Sequence, residues 1–230
     1  MDPEPQTSGI AQGLARVAER IGAAARRAGR RPEEITLIGV SKVMPAAAIC
    51  EAYRAGVRHF GENYVQEFAA KRPEMGDLPG AVFHMIGHVQ ANKAAPAAQW
   101  FDVIQTVDSV RLARRLNEAG RRLAALIEVK LSPEQAKSGV EEQELPGLVE
   151  AVGGLEHLDL RGLMVMPPWP KNPEDSRPYF RQLRRLGEQY RLPELSMGMS
   201  GDFEVAIEEG ATLVRVGTAI FGPRKPQGTT

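Results

Sequence analysis

Residues 35–45, ITLIGVSKVMP, carry the pattern on which the fold prediction rests. An apolar, β-branched run typical of a buried strand ends at Lys42, and Pro45 then suits the first position of a helix. The stretch predicts one strand that passes directly into one helix. It also raises a chemical question, because a cation at the end of a buried strand is costly unless it has a partner.

The same alternation repeats along the chain. Strand-like runs span residues 35–41, 57–60, 82–87, 101–107, 123–131, 158–166, 194–200 and 212–217. Helix-like stretches span 45–55, 63–72, 92–100, 109–122, 141–152, 174–191 and 202–209, after a leading helix over 8–28. Strands joined through helices pair in parallel, because a hairpin needs a much shorter connection.

Two helix starts have side chains suited to capping. Asn63 with Gln66 predicts a capping box, and Ser109 predicts an N-cap. Eight βα units close most simply into a single (β/α)8 TIM barrel, here with an extra N-terminal helix. An open, doubly wound α/β sheet is the alternative. We predict one domain over residues 8–224, with loose tails at 1–7 and 225–230.

Composition narrows the function classes. The chain of 230 residues has 29 lysines and arginines against 29 aspartates and glutamates, so its net charge gives no argument for nucleic acid or an acidic membrane. The single cysteine, Cys50, rules out an internal disulfide and a metal site built from cysteines. The start, MDPEPQTSG, is unlike a secretory signal, and no apolar run is long enough to span a membrane. We therefore expect a cytoplasmic protein.

The reactive face of such a barrel is the end where its strands finish, and phosphate often binds between the loops after strands seven and eight. MSGD (199–202) and VGTA (216–219) fall in these two loops. Their small residues let the backbone approach an anion, and Ser200 and Thr218 add hydroxyls. The alternative is that these hydroxyls only cap helices.

Two cations are predicted to face this site. Alternation along strand eight turns Arg215 into the barrel mouth, where it needs either an internal carboxylate or a ligand's ring nitrogen. Lys42 shares the inner face of strand one and could reach the same mouth, although a lysine whose ammonium extends to solvent is the alternative for that residue alone. A desolvated lysine attacks carbonyls, so lysine, arginine and phosphate loops together predict a phosphorylated aldehyde held as a Schiff base. Pyridoxal 5′-phosphate (PLP) fits this description.

Seven motifs then resemble a known family, the pyridoxal phosphate homeostasis proteins, which are related to the N-terminal barrel of alanine racemase. They are VSK (40–42), FGENYVQE (60–67), FHMIGHVQANK (83–93), KSG (137–139), RGLMVMPP (161–168), LSMGMSGDFEVAIEEGAT (195–212) and VRVGTAIFGPR (214–224). Val43, Ala91 and Gly201 depart from the residues usual in that family.

The resemblance implies roles for six residues. Lys42 would carry the Schiff base with PLP, and Arg215 would face the pyridine nitrogen. Asn63 would lie near the cofactor, and the phosphate would be held by Ser200, Gly217 and Thr218. No catalytic residue and no metal ligand are implied.

Three functions remain for such a site. The first is a monomeric, non-catalytic protein that buffers PLP or delivers it to PLP-dependent apo-enzymes. The second is a PLP-dependent amino-acid racemase, which needs a second acid/base group that we do not expect here, since the sequence ends soon after strand eight. The third is a lysine-dependent aldolase, which would leave Arg215 unexplained.

Other candidate side chains have simpler interpretations. His84 lies inside strand three and is expected to be a hydrogen-bonded core residue, while His88 at the end of that strand could line the site. Lys137 could be a secondary attachment point but reads more simply as a solvated lysine. Trp100 and Trp169 are expected to pack on helix and loop surfaces.

Overall fold

The computed structural model describes residues 9–132 and 138–222. The strands in these segments are all short and mostly buried. They are β1 (Thr36–Val40), β2 (His59–Glu62), β3 (Val82–Met85), β4 (Val103–Val107), β5 (Leu123–Lys130), β6 (Val140–Glu141), β7 (Leu158–Met164), β8 (Glu194–Met199) and β9 (Leu213–Val216). The helices are α1 (Gly9–Arg27), α2 (Ala46–Arg54), α3 (Val65–Lys71), α4 (Ala94–Trp100), α5 (Val110–Asn117), α6 (Leu145–Gly153), α7 (Arg177–Tyr190), α8 (Phe203–Glu208) and α9 (Thr218–Phe221).

Eight of these strands form a closed parallel barrel. The pairing order is β1-β2-β3-β4-β5-β7-β8-β9, and β9 pairs with β1 to close the sheet. In the closing pair, Ile38 of β1 lies opposite Arg215 of β9. The predicted (β/α)8 barrel with a leading helix is therefore confirmed, and the open sheet is excluded.

The leading helix α1 covers one side of the barrel. Its residues Val17 and Ile21 are buried one turn apart, and α1 packs against α2, α8 and α9. Burying such a side chain stabilises the fold by about 1.5–3 kcal/mol. In the two described segments, no helix is both long and apolar enough to cross a membrane.

Several predicted element boundaries are wrong, each for a local reason. The side chain of Asn63 makes no capping bond; Tyr64 is the N-cap of α3, in an extended conformation. The helix predicted over 109–122 ends at Asn117, because the chain must already turn at Gly120, which has a φ of 65°. Residues 140–141 form the unpredicted strand β6, which pairs with the end of β5 outside the barrel.

Other boundary predictions hold more closely. Ser109 caps α5, since its hydroxyl accepts the N–H of Leu112 at 3.3 Å. Pro45 is the N-cap of α2, one position before the predicted one. The Pro-rich stretch 166–178 begins as the loop after β7, continues as a 3-10 helix over Pro173–Ser176 and ends in the first two residues of α7.

Two apolar regions hold the barrel together. The larger one fills the layer between strands and helices and includes Phe60, Phe68 and Phe101. The smaller one lies inside the barrel and consists of Ile38, Val103, Ala124, Leu126, Met164 and Leu213. The rest of the interior carries buried polar groups, which connect to the site described next.

Candidate functional site

One cavity opens where β1, β2, β8 and β9 end. It is lined by all six residues that the sequence singled out, namely Lys42, Asn63, Ser200, Arg215, Gly217 and Thr218. Apolar side chains complete the wall, among them Val40, Ile86, Met166, Trp169 and Met199. Among the described residues that line this cavity, there is no aspartate, glutamate, histidine or tyrosine. Its polar groups are therefore cations, hydroxyls, one side-chain amide and backbone.

Lys42 lies in a tight turn directly after β1. The N–H of Met44 donates to the carbonyl of Ser41 at 3.0 Å, and this closes the turn. Val43 has a φ of 58°, a left-handed conformation that is strained for a β-branched residue. A strained residue of this kind persists only when its surroundings hold it in place.

The first turn of α3 and its last residue provide that support. Glu67 accepts the N–H of Val43 at 2.7 Å, so the strained peptide has a charged partner. Lys71 donates to the carbonyls of Ser41 and Met44 at 3.1 and 3.2 Å, which lie on the two sides of Lys42. Lys71 is also 2.8 Å from Glu67. We call Glu67, Lys71 and the neighbouring Glu62, which is described next, the turn clamp.

Glu62 is the most deeply buried member of the turn clamp, with no exposed surface. It accepts the hydroxyl of Ser41 at 2.6 Å and lies 2.8 Å from the Lys71 ammonium. Burial raises the pKa of the Glu62 carboxyl, while Lys71 and Ser41 act in the opposite direction. Its second oxygen has no hydrogen-bond partner among the described residues. Lys71 is therefore the main group that compensates this buried carboxylate.

The loops after β8 and β9 meet at the other side of the cavity. The N–H of Gly217 donates to Ser200 Oγ at 3.4 Å, which joins the two loops. The loop after β8 is itself held by buried Asp202, which accepts the N–H of Met199 and the hydroxyl of Ser176, both at 2.7 Å. Hydroxyls and backbone N–H groups thus converge there, as an anion site requires.

Two glycines allow the close packing that shapes the cavity. A Cβ on Gly217 would lie 3.2 Å from the carbonyl oxygen of Val40, so glycine lets the β9 loop approach the strand that carries Lys42. A Cβ on Gly87 would lie 2.7 Å from the Cα of Asn63, which real structures do not tolerate. Gly87 thereby permits the position of Asn63 at the end of β2.

Arg215 lies inside the barrel with only 3% of its surface exposed. Its guanidinium donates to Ser196 Oγ at 2.7 Å and to the Val165 carbonyl at 2.9 Å. Burial lowers its pKa to about 10, although Asp202 and Glu128 act in the opposite direction, so it is charged at neutral pH. No carboxylate among the described residues lies within ion-pair distance of it. An arginine has five N–H donors, and the guanidinium lines the cavity, so it can also donate to a ligand there.

Four further side chains were candidates from the sequence. His84 is a buried, hydrogen-bonded residue, as predicted. His88 lines a separate groove beside Asp108, 3.2 Å from its carboxylate. Lys137 falls outside the described residues. Trp169 does not pack on a loop surface; it is 75% exposed and lines the mouth of the cavity.

Sequence reasoning missed the turn clamp and Ser196. Glu62 and Glu67 lie inside the quoted motif FGENYVQE, but their pattern alone does not show that they turn back toward Lys42. Lys71 reads as one more charge on an amphipathic helix. A lysine four residues after a glutamate is a usable signal for an ion pair, and Glu67–Lys71 has this spacing.

A lysine, a buried arginine and two joined loops meet at one end of this parallel barrel, and the barrel places the chain among alanine racemase-like barrel proteins. The family model for the N-terminal domain of alanine racemase matches residues 13–225. The chain is also 46% identical over 225 residues to the pyridoxal phosphate homeostasis protein of Pseudomonas aeruginosa, and the match covers 94% of this chain and 96% of that protein. The chain belongs to the pyridoxal phosphate homeostasis protein family.

Solved structures agree with this assignment. PipY of Synechococcus elongatus, solved with PLP bound, is 43% identical with a TM-score of 0.74, over 90% of this chain and all of that one (100%). Alanine racemase of Corynebacterium glutamicum is 18% identical with a TM-score of 0.62, and the match covers 94% of this chain and 63% of the racemase. This second match shows a shared barrel fold.

Proposed function

We propose that this cavity binds PLP through Lys42 and that the protein serves intracellular PLP homeostasis, buffering the cofactor or delivering it. The observation that carries the proposal is that one cavity brings together Lys42, Arg215 and the joined loops of Ser200 and Gly217. PLP combines an aldehyde, a flat aromatic ring and a phosphate. The cavity offers an amine, apolar walls and an anion site in the same space.

The charges of the cavity favour this ligand. PLP carries a phosphate dianion, and the polar lining described above has two cationic side chains and no carboxylate. In our proposal, Ser200, Gly217 and Thr218 hold the phosphate by charge-assisted hydrogen bonds. Arg215 donates to the ring nitrogen, and Asn63 lies at the edge of the ring.

Lys42 is the amine that would attach the cofactor. When bound, PLP supplies an electrophilic aldehyde carbon. The turn clamp fixes the backbone on both sides of Lys42, so that the side chain starts from a fixed position at the cavity wall. The amine attacks that carbon in its unprotonated form.

A non-catalytic role is the second part of the proposal. Racemisation needs acid/base groups on both faces of the substrate, and among the described lining residues Lys42 is the only one with a suitable side chain. Carbanion chemistry also benefits from a protonated pyridine nitrogen. A guanidinium about 4 Å away opposes that proton by roughly 4 kcal/mol, which is about three pKa units.

Delivery of PLP needs fewer functional groups in the protein than catalysis does. Transfer to an external amine requires only that amine as a nucleophile, so the same site can release PLP to apo-enzymes that need it. We further propose that the protein acts as a monomer in the cytoplasm. Light scattering tests whether the protein is a monomer. The rate of cofactor transfer to an apo-enzyme, compared with the rate from free PLP, tests delivery.

Trapping the attachment tests the proposal directly. Purified protein with PLP should show a visible absorption band, and borohydride should fix the cofactor mass to the peptide that carries Lys42. Lys42→Arg keeps the positive charge but should lose both signals, whereas Lys93→Arg, at the residue just before α4, serves as a control. A label found mainly on Lys137 or elsewhere, or a Lys42→Ala protein that is still yellow, would show that the assignment is wrong.

A further inference from the structure

Five buried or partly buried side chains form one hydrogen-bond chain across the barrel interior. Arg215 contacts Ser196 at 2.7 Å, and Ser196 contacts Gln105 at 2.7 Å across the barrel. Gln105 contacts His84 at 3.0 Å, and His84 contacts His59 at 2.9 Å. This hydrogen-bond chain links β9, β8, β4, β3 and β2, and its Arg215 end lies in the proposed cofactor cavity.

Arg215 determines the direction of this chain, because a guanidinium only donates hydrogen bonds. Ser196 Oγ must therefore accept from Arg215, and its own proton is left to donate to Gln105 Oε1. Gln105 then presents its Nε2 donor to His84 Nδ1. Each group accepts on the Arg215 side and donates on the other side.

The opposite orientation of the Gln105 amide would leave one hydrogen-bond donor in this series without an acceptor. If its amide were turned over, Nε2 would face Ser196 Oγ, which already accepts from Arg215. The Ser196 proton would then have no acceptor among its contacts in the described residues, inside a barrel where Ser196 has no exposed surface. A buried polar group without its partner costs about 1–3 kcal/mol. The chain therefore has one favoured direction.

The direction specifies where both histidines carry their protons. His84 accepts at Nδ1, so its proton is on Nε2, and this N–H donates to His59 Nδ1. His59 in turn is protonated on Nε2. Burial, and in addition the neighbouring His59, lower the pKa of His84 to about 3, so His84 is neutral at physiological pH. Burial also lowers the pKa of His59.

We propose that Ser196, Gln105 and His84 are positioning residues that hold the Arg215 guanidinium in one orientation toward the cavity. The hydrogen-bond direction that Arg215 imposes extends to His59 and fixes the tautomers of both imidazoles. The statement about tautomers concerns the protein without ligand. The statement about the cavity rests on the proposed function, since it needs Arg215 to face the bound cofactor.

Nitrogen-15 NMR of the histidine side chains in ligand-free protein tests the first statement. His84 and His59 should both be neutral and protonated on Nε2 at neutral pH. Ser196→Ala removes the link to Arg215 and frees Gln105 to turn over, so His84 should show a substantial population of the Nδ1-protonated form. Gln105→Leu should have the same effect, and it replaces Ser196→Ala if that variant does not fold.

Thr106→Val is the matched control. Thr106 is a buried neighbour on β4 whose hydroxyl donates to the Gly87 carbonyl at 2.8 Å, outside the chain. It should leave both tautomers unchanged. A wild-type His84 protonated on Nδ1, or tautomers that stay the same in both Ser196→Ala and Gln105→Leu, would overturn the inference.

Cofactor titration tests the second statement. Ser196→Ala should raise the dissociation constant of PLP about tenfold, because it loses one hydrogen bond that orients a charged group. Thr106→Val should change it less than about twofold. If the tautomers follow the prediction but PLP does not bind at all, the proposed function fails and the hydrogen-bond chain stands. If PLP binds equally well to both variants, the positioning role is wrong and the function stands.

Discussion

Replacing Lys71 by methionine should be among the most destabilising single changes in this protein. Methionine keeps most of the volume but removes the ammonium that compensates Glu62, a carboxylate with no exposed surface. Removing one partner of a buried ion pair typically costs about 3–5 kcal/mol, since the other charge stays buried alone. Burial already raises the pKa of Glu62, so part of the cost will appear as proton uptake by that carboxyl.

Urea unfolding, with fluorescence and circular dichroism read together, measures this loss. Lys130→Met is the matched control, since Lys130 lies 2.7 Å from Glu141, a partner that is 56% exposed. An exposed pair of this kind contributes about 0–1 kcal/mol. The two variants thus have the same substitution and nearly the same ion-pair distance, but differ in burial.

The double variant Glu62→Met, Lys71→Met separates the charge effect from lost packing. With no buried charge left, it should be more stable than Lys71→Met alone, which gives a coupling free energy between the two sites. Equal losses for Lys71→Met and Lys130→Met would refute the reasoning. The reasoning would also be refuted if the stability lost in the double variant equalled the sum of the losses in Glu62→Met alone and Lys71→Met alone.

Four further outcomes follow from the geometry. Ser200→Ala with Thr218→Val should weaken PLP retention by roughly two to four orders of magnitude in a cofactor titration with the barrel still folded, and unchanged affinity would sink the phosphate site. The low pKa of His84 means that only the unfolded chain takes up its proton, so from about pH 7.5 to pH 5 wild type should lose about 2 kcal/mol of stability that His84→Asn does not lose. Holo-protein should show little α-hydrogen exchange with amino acids, Arg215→Gln should increase it, and wild-type turnover at roughly 1–1,000 per second would restore the racemase. Gly87→Ala should cost about 1–3 kcal/mol in thermal unfolding, because its methyl group overlaps Asn63.

Much of the barrel could be predicted from local pattern alone. Each strand is a short apolar run, and each helix is long enough to rule out a hairpin, so eight repeats leave few topologies. Lys42 and Arg215 could be assigned to one cavity because strand alternation and the common polarity of parallel strands apply to both. Helix ends were harder: Asn63 looks like a cap, but it follows β2 so closely that its backbone stays with the strand end.

Contacts between distant strands were outside the reach of this reasoning. His59, His84, Gln105 and Ser196 are ordinary polar residues in the sequence, and they become one chain only because the barrel brings β4 opposite β8. Lys71 is similar, since its partners Ser41 and Met44 lie 30 and 27 positions away. Periodicity shows which face a residue occupies, and it carries no information on the partner across that face.

The pairing of β1 with β9 has a consequence for how the protein is made. Lys42 follows β1, the first barrel strand to leave the ribosome, and Gly217 follows β9, the last. Synthesis proceeds at about 5–20 residues per second, so the two sides of the cavity exist many seconds apart and meet only when the barrel closes. Nascent chains can therefore hold helices and most strand pairs without holding cofactor. A ligand that binds only the closed barrel would therefore stabilise the pairing of β1 with β9 by mass action.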